Sequence, residues 1–300
     1  MRDEAPRSAG MIFKEDIVEL PEDVFRLLRD LIRDYCGMYF DDGSKFLLER
    51  RLTRRVRLHQ FKGFKDYYHF LSYDRRRETE LVEVIDTLTT NETYFFREEA
   101  QLRAFTEEIV PEMAGGRKDG RPFRIWSAGC STGEEPYTIA MLLLEGGRYD
   151  GLDVEIIGSD INQKVLGSAR RGIYKRGSFR ATDERLLKKY FKEETPGSFR
   201  ISDEVKKLVT FSYLNLFDPY KLGFLKEFDV IFCRNVIIYF DMESKKRLMN
   251  TFHNKLVPGG YLLLGHAESL LNLTTAFRLV HLKNDMVYQK PAVVPAAAPR

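Results

Sequence analysis

Five short polar stretches carry the residues best suited to chemistry, and each directly follows an apolar run: Ser127 to Glu135, Ser159 and Asp160, Asn215 and Leu216, Arg234 and Asn235, and Gly265 to Glu268. The first belongs to RIWSAGCSTGEEPYTIAM, Arg124 to Met141, where a strand-like run feeds a loop containing Gly129 and Gly133 and then a helix-like segment. Strand, glycine loop and helix in that order commonly hold a phosphate at the helix N-terminus. Here Glu134 and Glu135 stand where a phosphate loop has Lys and Ser, and two carboxylates would compete with an anion. A nucleoside with no phosphate and a positive centre fits better, and S-adenosylmethionine is such a molecule. The glycines would let the backbone approach it, Asp160 could accept both ribose hydroxyls, and Glu134 could face its ammonium or sulfonium end. Plainer uses exist for the same residues. Asp160 could cap the helix that follows it, and Glu134 and Glu135 could complement the dipole of theirs.

These residues need a scaffold that brings them to one edge. The runs FRIWSA, VEIIGSD, VTFSYLNL, FDVIFCRN and GYLLLGHAES alternate with helical stretches, the pattern of an α/β domain with a parallel sheet. In such sheets the ligand sits outside the carboxyl ends of the strands. Two later runs, FRLVHL and MVYQK, lack an intervening helix and predict a hairpin at the sheet edge. Upstream, residues 13 to about 112 read as helical. PEDVFRLLRDLIRDYCG opens on Pro21, places Val24, Leu27, Leu28, Leu31 and Ile32 on one stripe and stops near Gly37; further helices are expected around Ser44 to Gln60 and Glu78 to Thr87. The expected division is a helical domain over 11–112, a glycine-rich linker over 113–122 and a sheet domain over 123–290. A small β-containing insertion at about 175–207 interrupts the alternation, and an unstructured tail occupies 291–300.

The helix within SKFLLERRLTRRVRLHQF, residues 44 to 61, is strongly basic. Arg50, Arg54 and Arg57 share one face, Arg51 and Arg55 lie beside it, and Leu48, Leu52 and Val56 fall on the other side. One side is suited to a core and the other to an anionic partner. Over the whole chain of 300 residues, however, the net charge is only +3 with 31% charged residues, which argues against a wholesale polyanion binder. Three widely spaced cysteines and five scattered histidines give neither a disulfide framework nor a metal-ligand spacing. No signal peptide or membrane-spanning run is evident, so a cytoplasmic protein without membrane insertion is expected.

The motifs TTNETYFFRE (89 to 98), WSAGCSTGEEPYTIA (126 to 140), GSDIN (158 to 162), NLF (215 to 217), FCRNVIIYF (232 to 240) and GHAES (265 to 269) resemble, in order and over nearly the whole chain, those of the CheR-type chemotaxis receptor methyltransferases. The resemblance implies an all-α N-terminal domain joined to a class I S-adenosylmethionine-dependent methyltransferase domain. That domain would be Rossmann-like, with a mostly parallel sheet, an antiparallel edge strand and a small inserted β-subdomain. It also implies methyl transfer from S-adenosylmethionine to glutamate carboxylates on the cytoplasmic helices of chemoreceptors, for sensory adaptation, with S-adenosylhomocysteine as product and no metal. Carried over by motif, Asn91, Thr93 and Arg97 reach the cofactor, Glu134 meets its methionine end, Asp160 its ribose, and Asn215 with Leu216 its adenine. Arg234, Asn235 and Tyr239 would line the pocket near the methyl, with Arg97 and Tyr239 as the catalytic pair. Phe95 and Phe96 can equally be an aromatic core patch. Arg50, Arg51, Arg54, Arg55 and Arg57 would dock the acidic receptor. In some members the β-subdomain grips a peptide at the receptor's C-terminus, and the hairpin here looks shorter than theirs. A monomer is expected. Two other readings share the pocket: a cofactor-sensing interaction protein, and a nucleic-acid methyltransferase, which would carry a paired-proline motif after the fourth strand where this chain has Arg234, Asn235 and Val236.

Overall fold

A computed structural model describes residues 17–115, 120–146 and 152–292. The N-terminal unit is a bundle of α1 (Glu22–Cys36), α2 (Lys45–Leu58), α3 (Phe64–Tyr73) and α4 (Arg77–Leu88). In α1 the buried residues are Val24, Phe25, Leu28, Ile32 and Cys36, and the helix ends on Gly37 with φ 80°. Leu27, expected on the buried stripe, is instead 45% exposed, because the buried arc runs from Val24 through Phe25 to Cys36, away from Leu27's side of the helix. The aromatic-rich α3 was not anticipated by hydrophobic spacing. Its Phe64, Tyr67, Phe70 and Leu71 close the bundle against the other helices.

Next come α5 (Glu99–Ala104), a π-helical turn over Phe105–Ile109, and α6 (Val110–Ala114). The sequence reading placed this stretch in the helical domain. Its Leu102, Phe105, Ile109 and Val110 pack instead with Phe123, Ile125 and Phe232 of the sheet, so the division falls near Leu88 and not at 112. An apolar helix is legible from spacing, but which core it joins is not. Part of the expected linker, 116–119, lies outside the described residues, as do the expected domain start at 11–16 and all but the first two residues of the 291–300 tail.

The sheet domain contains β1 (Phe123–Ala128), α7 (Glu134–Glu145), β2 (Val154–Asp160) and α8 (Gln163–Arg171). Then come β3 (Ile173–Lys175), α9 (Glu184–Tyr190), β4 (Phe191–Thr195), β5 (Ser198–Ile201) and α10 (Asp203–Lys206), followed by β6 (Val209–Tyr213), α11 (Pro219–Gly223), β7 (Phe228–Cys233), α12 (Met242–Lys255), β8 (Leu256–Leu264), β9 (Arg278–His281) and β10 (Met286–Gln289). The large sheet has the order β6-β2-β1-β7-β8-β10-β9. The five alternating runs are parallel to one another, and β10 and β9 form the hairpin at the edge, with β10 antiparallel to β8. Successive strand residues face opposite sides. Thus Ile125 packs beneath α7 while Trp126 meets Phe228 and Phe252 on the α12 side.

Strands β3, β5 and β4 make a separate antiparallel sheet between α8 and β6, turning at Gly197 with φ 75°. This insertion is anchored to its neighbours at several places. Glu145 at the end of α7 takes hydrogen bonds from Arg185 and Tyr190 at 2.6 and 2.8 Å. Phe95 lies in an aromatic cluster with Tyr174, Phe179 and Phe191, ring centroids 4.8 to 5.3 Å away.

Candidate active site

Four of the five polar stretches meet at the carboxyl edge of the sheet around a cleft of about 1140 Å³, counting the space open to solvent, and the fifth, Gly265 to Glu268, is joined to it through Glu268 and the Asn235 N–H. Asn91, Thr93 and Arg97 from the segment after α4, Asp160, Asn215 and Leu216, and Arg234, Asn235 and Tyr239 all line it. So do Cys36, Met38 and Leu88, and nothing in the sequence flagged these three. The bundle therefore supplies one wall. Met38 pairs with Phe240 as a short antiparallel bridge, and the Tyr39 N–H donates to the Tyr239 carbonyl at 2.9 Å.

The glycine loop is tightly built. Gly129 has φ 83°, and a Cβ there would lie 2.4 Å from Val236 Cγ2, so only glycine fits. Ser131, a non-glycine residue at φ 49°, aims its backbone N–H at Asp160, and Asn162 N–H meets the other carboxylate oxygen; both distances are 2.8 Å. Asn162 also caps α8, accepting from Lys164 and Val165 N–H. With the cap filled by Asn162, Asp160 remains facing the cleft, where burial pushes its carboxyl up to about 6.

Glu134 departs from expectation. It is 2% exposed and does not line the cleft; its carboxylate accepts from Thr132 and Ser178 hydroxyls at 2.5 and 3.1 Å. Neighbouring helix positions point roughly 100° apart, so only one of the two glutamates at the start of α7 can face the ligand. That one is Glu135, which lines the cleft and accepts from Ser127 Oγ at 2.7 Å. Burial raises its carboxyl above the ordinary range, and the Arg234 guanidinium opposes the shift.

Arg234 is itself answered twice. It lies 3.0 Å from Glu98 and 3.2 Å from Glu135 with its side chain only 3% exposed, and it also donates to the Arg97 carbonyl. Glu98 held no assigned role in the sequence reading, nor did Glu268 of the GHAES motif. Glu268 accepts from Asn235 and Gly265 N–H at 2.8 and 2.7 Å and from Ile238 N–H at 3.3 Å, joining the loops after β7 and β8. An acid just past a strand was the available signal, but sequence does not show across which gap it reaches. Asn215 lines the cleft with its amide engaged, donating to the Tyr35 carbonyl at 2.6 Å and accepting from Phe217 N–H at 2.9 Å. His266, at the same edge, is absent from the lining; its ring lies 3.6 Å from Asp285.

The five arginines of α2 separate into two groups. Arg51 donates to the Leu88 carbonyl at 2.6 Å, and Arg55 pairs with the buried Glu80 at 2.9 Å through Nε, so neither is an available docking residue. Tyr67 and His59 also meet Glu80, at 2.6 and 2.7 Å. Burial pushes the Glu80 carboxyl up, but these hydrogen bonds outweigh it and hold it below its usual range. Arg50, Arg54 and Arg57 are exposed. Charge and helical spacing could not separate the groups because the partners, the Leu88 carbonyl and Glu80, come from another helix, α4. Arg55→Ala, which strands a buried carboxylate, is expected to destabilise the protein by about 3 kcal/mol, whereas Arg54→Ala should change stability by less than about 0.5 kcal/mol. Urea unfolding of both variants checks this.

The donor set suits a cationic nucleoside. The described lining contains carboxylates, a glycine cradle and amides but no lysine or histidine, and the arginine deepest in it is already paired with two acids. No group of residues able to hold a metal is found among the described residues. None of the described helices is long and apolar enough to cross a membrane.

Comparison with known proteins agrees with this chemistry. Residues 91–286 match the model of the CheR methyltransferase SAM binding domain and residues 23–89 that of the CheR methyltransferase all-alpha domain. Chemotaxis protein methyltransferase 2 of Vibrio cholerae is 37% identical over 268 residues, 89% of this chain and 92% of that protein. A chemotaxis protein methyltransferase of Borreliella burgdorferi is 37% identical over 84% of this chain and 90% of its own. Solved structures align more loosely; magnesium protoporphyrin IX methyltransferase of Synechocystis PCC 6803 with bound SAM has a TM-score of 0.34 and 11% identity over 90% of this chain and 97% of its own. S-adenosylmethionine is the cofactor of this fold, and the chain belongs to the CheR methyltransferase family.

Proposed function

We propose that the protein esterifies glutamate side chains of chemoreceptors with methyl groups from S-adenosylmethionine, releasing S-adenosylhomocysteine, in receptor adaptation. The observation that supports this reading is a cleft whose described lining sets Asp160 and Glu135 beside a glycine loop and amides, a set suited to a cationic nucleoside, and offers no histidine or lysine base. A glutamate acceptor needs none, since its carboxylate, with a reference pKa of about 4.3, is already ionised at neutral pH.

The cofactor, when bound, supplies an electrophilic methyl on a sulfonium. The chain's residues hold and align. Asp160 would accept the ribose hydroxyls, Asn91, Thr93, Asn215, Leu216 and Asn235 would shape the remainder of the nucleoside site, and Glu135, in place of Glu134, would answer the cationic end. Arg234, locked between Glu98 and Glu135, fixes that acid in place. Arg97 and Tyr239 would orient the incoming carboxylate, and alignment of this kind can lower a barrier by roughly 7 to 11 kcal/mol. Arg50, Arg54 and Arg57 present the face that meets the acidic receptor, each exposed pair contributing about 0 to 1 kcal/mol. An extended peptide at the receptor's C-terminus would add to β4, an edge of the small sheet.

The test is transfer of labelled methyl groups from S-adenosylmethionine to receptor cytoplasmic domains, with RNA and DNA in parallel. Base-labile label on receptor glutamates is expected. Arg54→Glu should lower the rate about fivefold at low salt, with the gap closing as screening increases. Label on nucleic acid would overturn the acceptor, and binding without transfer to any acceptor would make the protein a cofactor sensor.

A further inference from the structure

We infer that the mouth of the cleft is itself a docking surface for the acceptor, with one apolar part and one cationic part, shaped for an amphipathic acidic helix. This rests on the function proposed above and assigns residues outside the α2 face. The apolar part joins both domains. Tyr39 from the bundle and Ile238, Tyr239 and Met242 from the sheet domain are 37%, 46%, 37% and 51% exposed. The Tyr39 to Tyr239 hydrogen bond and the Met38 to Phe240 bridge hold residues 38 and 39 against 239 and 240, with Ile238 and Met242 flanking that pairing in the chain. Glu268 fixes the backbone beneath Ile238. Single exposed apolar side chains are ordinary, but four on two paired segments beside a functional opening point to an interaction site.

The cationic part lies on another stretch of the same opening. Tyr94 and Arg97 line the cleft, as Tyr239 does. The Arg180 guanidinium stacks over the Tyr94 ring at 3.8 Å, and that of Arg97 lies 5.6 Å from the same ring. Arg180 comes from the inserted segment between β3 and α9 and also pairs with Glu92 at 2.9 Å, its side chain 51% exposed. Stacking on Tyr94 pre-sets Arg180 at the rim, so less side-chain entropy is lost when an anion arrives.

An amphipathic helix matches both parts at once. Its apolar residues at i and i+4 would lie on Tyr39, Ile238 and Met242, a neighbouring acid would meet Arg180, and the glutamate between them would enter the cleft. A helix carrying charge alone would leave the apolar part uncovered.

The experiment compares the full chain with an Ile238→Ser/Met242→Ser double variant and with Arg180→Ala, measuring kcat and KM for a receptor cytoplasmic domain and S-adenosylmethionine affinity by calorimetry. Tyr220→Ser/Phe224→Ser, removing exposed aromatics at α11, serves as control. Each rim variant is expected to raise the receptor KM about 5- to 20-fold, with kcat and cofactor affinity within about twofold of wild type and the control unchanged. Receptor methylation by wild type with KM unaltered in both rim variants would overturn the rim assignment and leave the proposed function standing. Wild type that methylates no receptor would overturn both. Loss of binding to anionic vesicles in the rim variants, with receptor KM unaltered, would give the surface to a lipid headgroup instead.

Discussion

With Asp160 at the ribose as proposed, Asp160→Asn is expected to weaken S-adenosylmethionine binding about 100-fold by calorimetry, close to 2.7 kcal/mol, because it replaces two charge-assisted acceptors with one neutral one. The same residue gives a pH signature. Its carboxyl is raised by burial to about 6 in the folded protein, against a reference value of about 3.9. The folded state therefore holds this proton more tightly than the unfolded chain. The group's contribution to stability is fully present below about pH 4 and is lost as pH rises through about 6. Its ability to accept from the ribose runs the opposite way, since that requires the ionised form. Lowering the pH from about 7 to about 5 should move the difference in melting temperature between wild type and Asp160→Asn in favour of wild type, while wild-type cofactor affinity falls. An affinity that stays flat over that range in wild type would remove Asp160 from the ribose site.

Arg234→Met is expected to be the most destabilising substitution in the site, by about 3 to 5 kcal/mol, because it leaves Glu98 and Glu135 buried without their cation. For a domain of this size that corresponds to a drop of roughly 10 °C in melting temperature. Adding Glu135→Gln should recover part of the loss, since burial already favours its neutral form. A single variant that melts within about 2 °C of wild type would mean that the pair with Glu98 and Glu135 carries little of the stability at this position.

The strands and their order of use were legible because each is a short apolar run closed by polar residues, and the parallel sheet then dictated where the chemistry lies. The edge hairpin of β9 and β10 was legible from two runs with no helix between them. Two kinds of information were not. Helix spacing shows that a face is apolar without naming its partner, so α5 and α6 were assigned to the bundle although they cover the sheet. Residue type shows that a charge exists without showing who neutralises it. Arg51 and Arg55 therefore looked like docking residues, and Glu134 and Glu135 could not be ranked until the first turn of α7 fixed which of them faces Ser127 and Arg234.

The cleft takes its walls from two units with separate cores, the bundle through Cys36, Met38 and Leu88 and the sheet through Asp160 and Arg234. A molecule bound there acts as a removable tie between them. At a free cofactor concentration 100 times its dissociation constant, mass action adds about 2.7 kcal/mol to the stability of the folded arrangement that binds it. Emptying the cleft is thus expected to loosen the bundle's hold on the sheet, while Phe95 and Phe96 of the connecting segment stay in the sheet domain's own core.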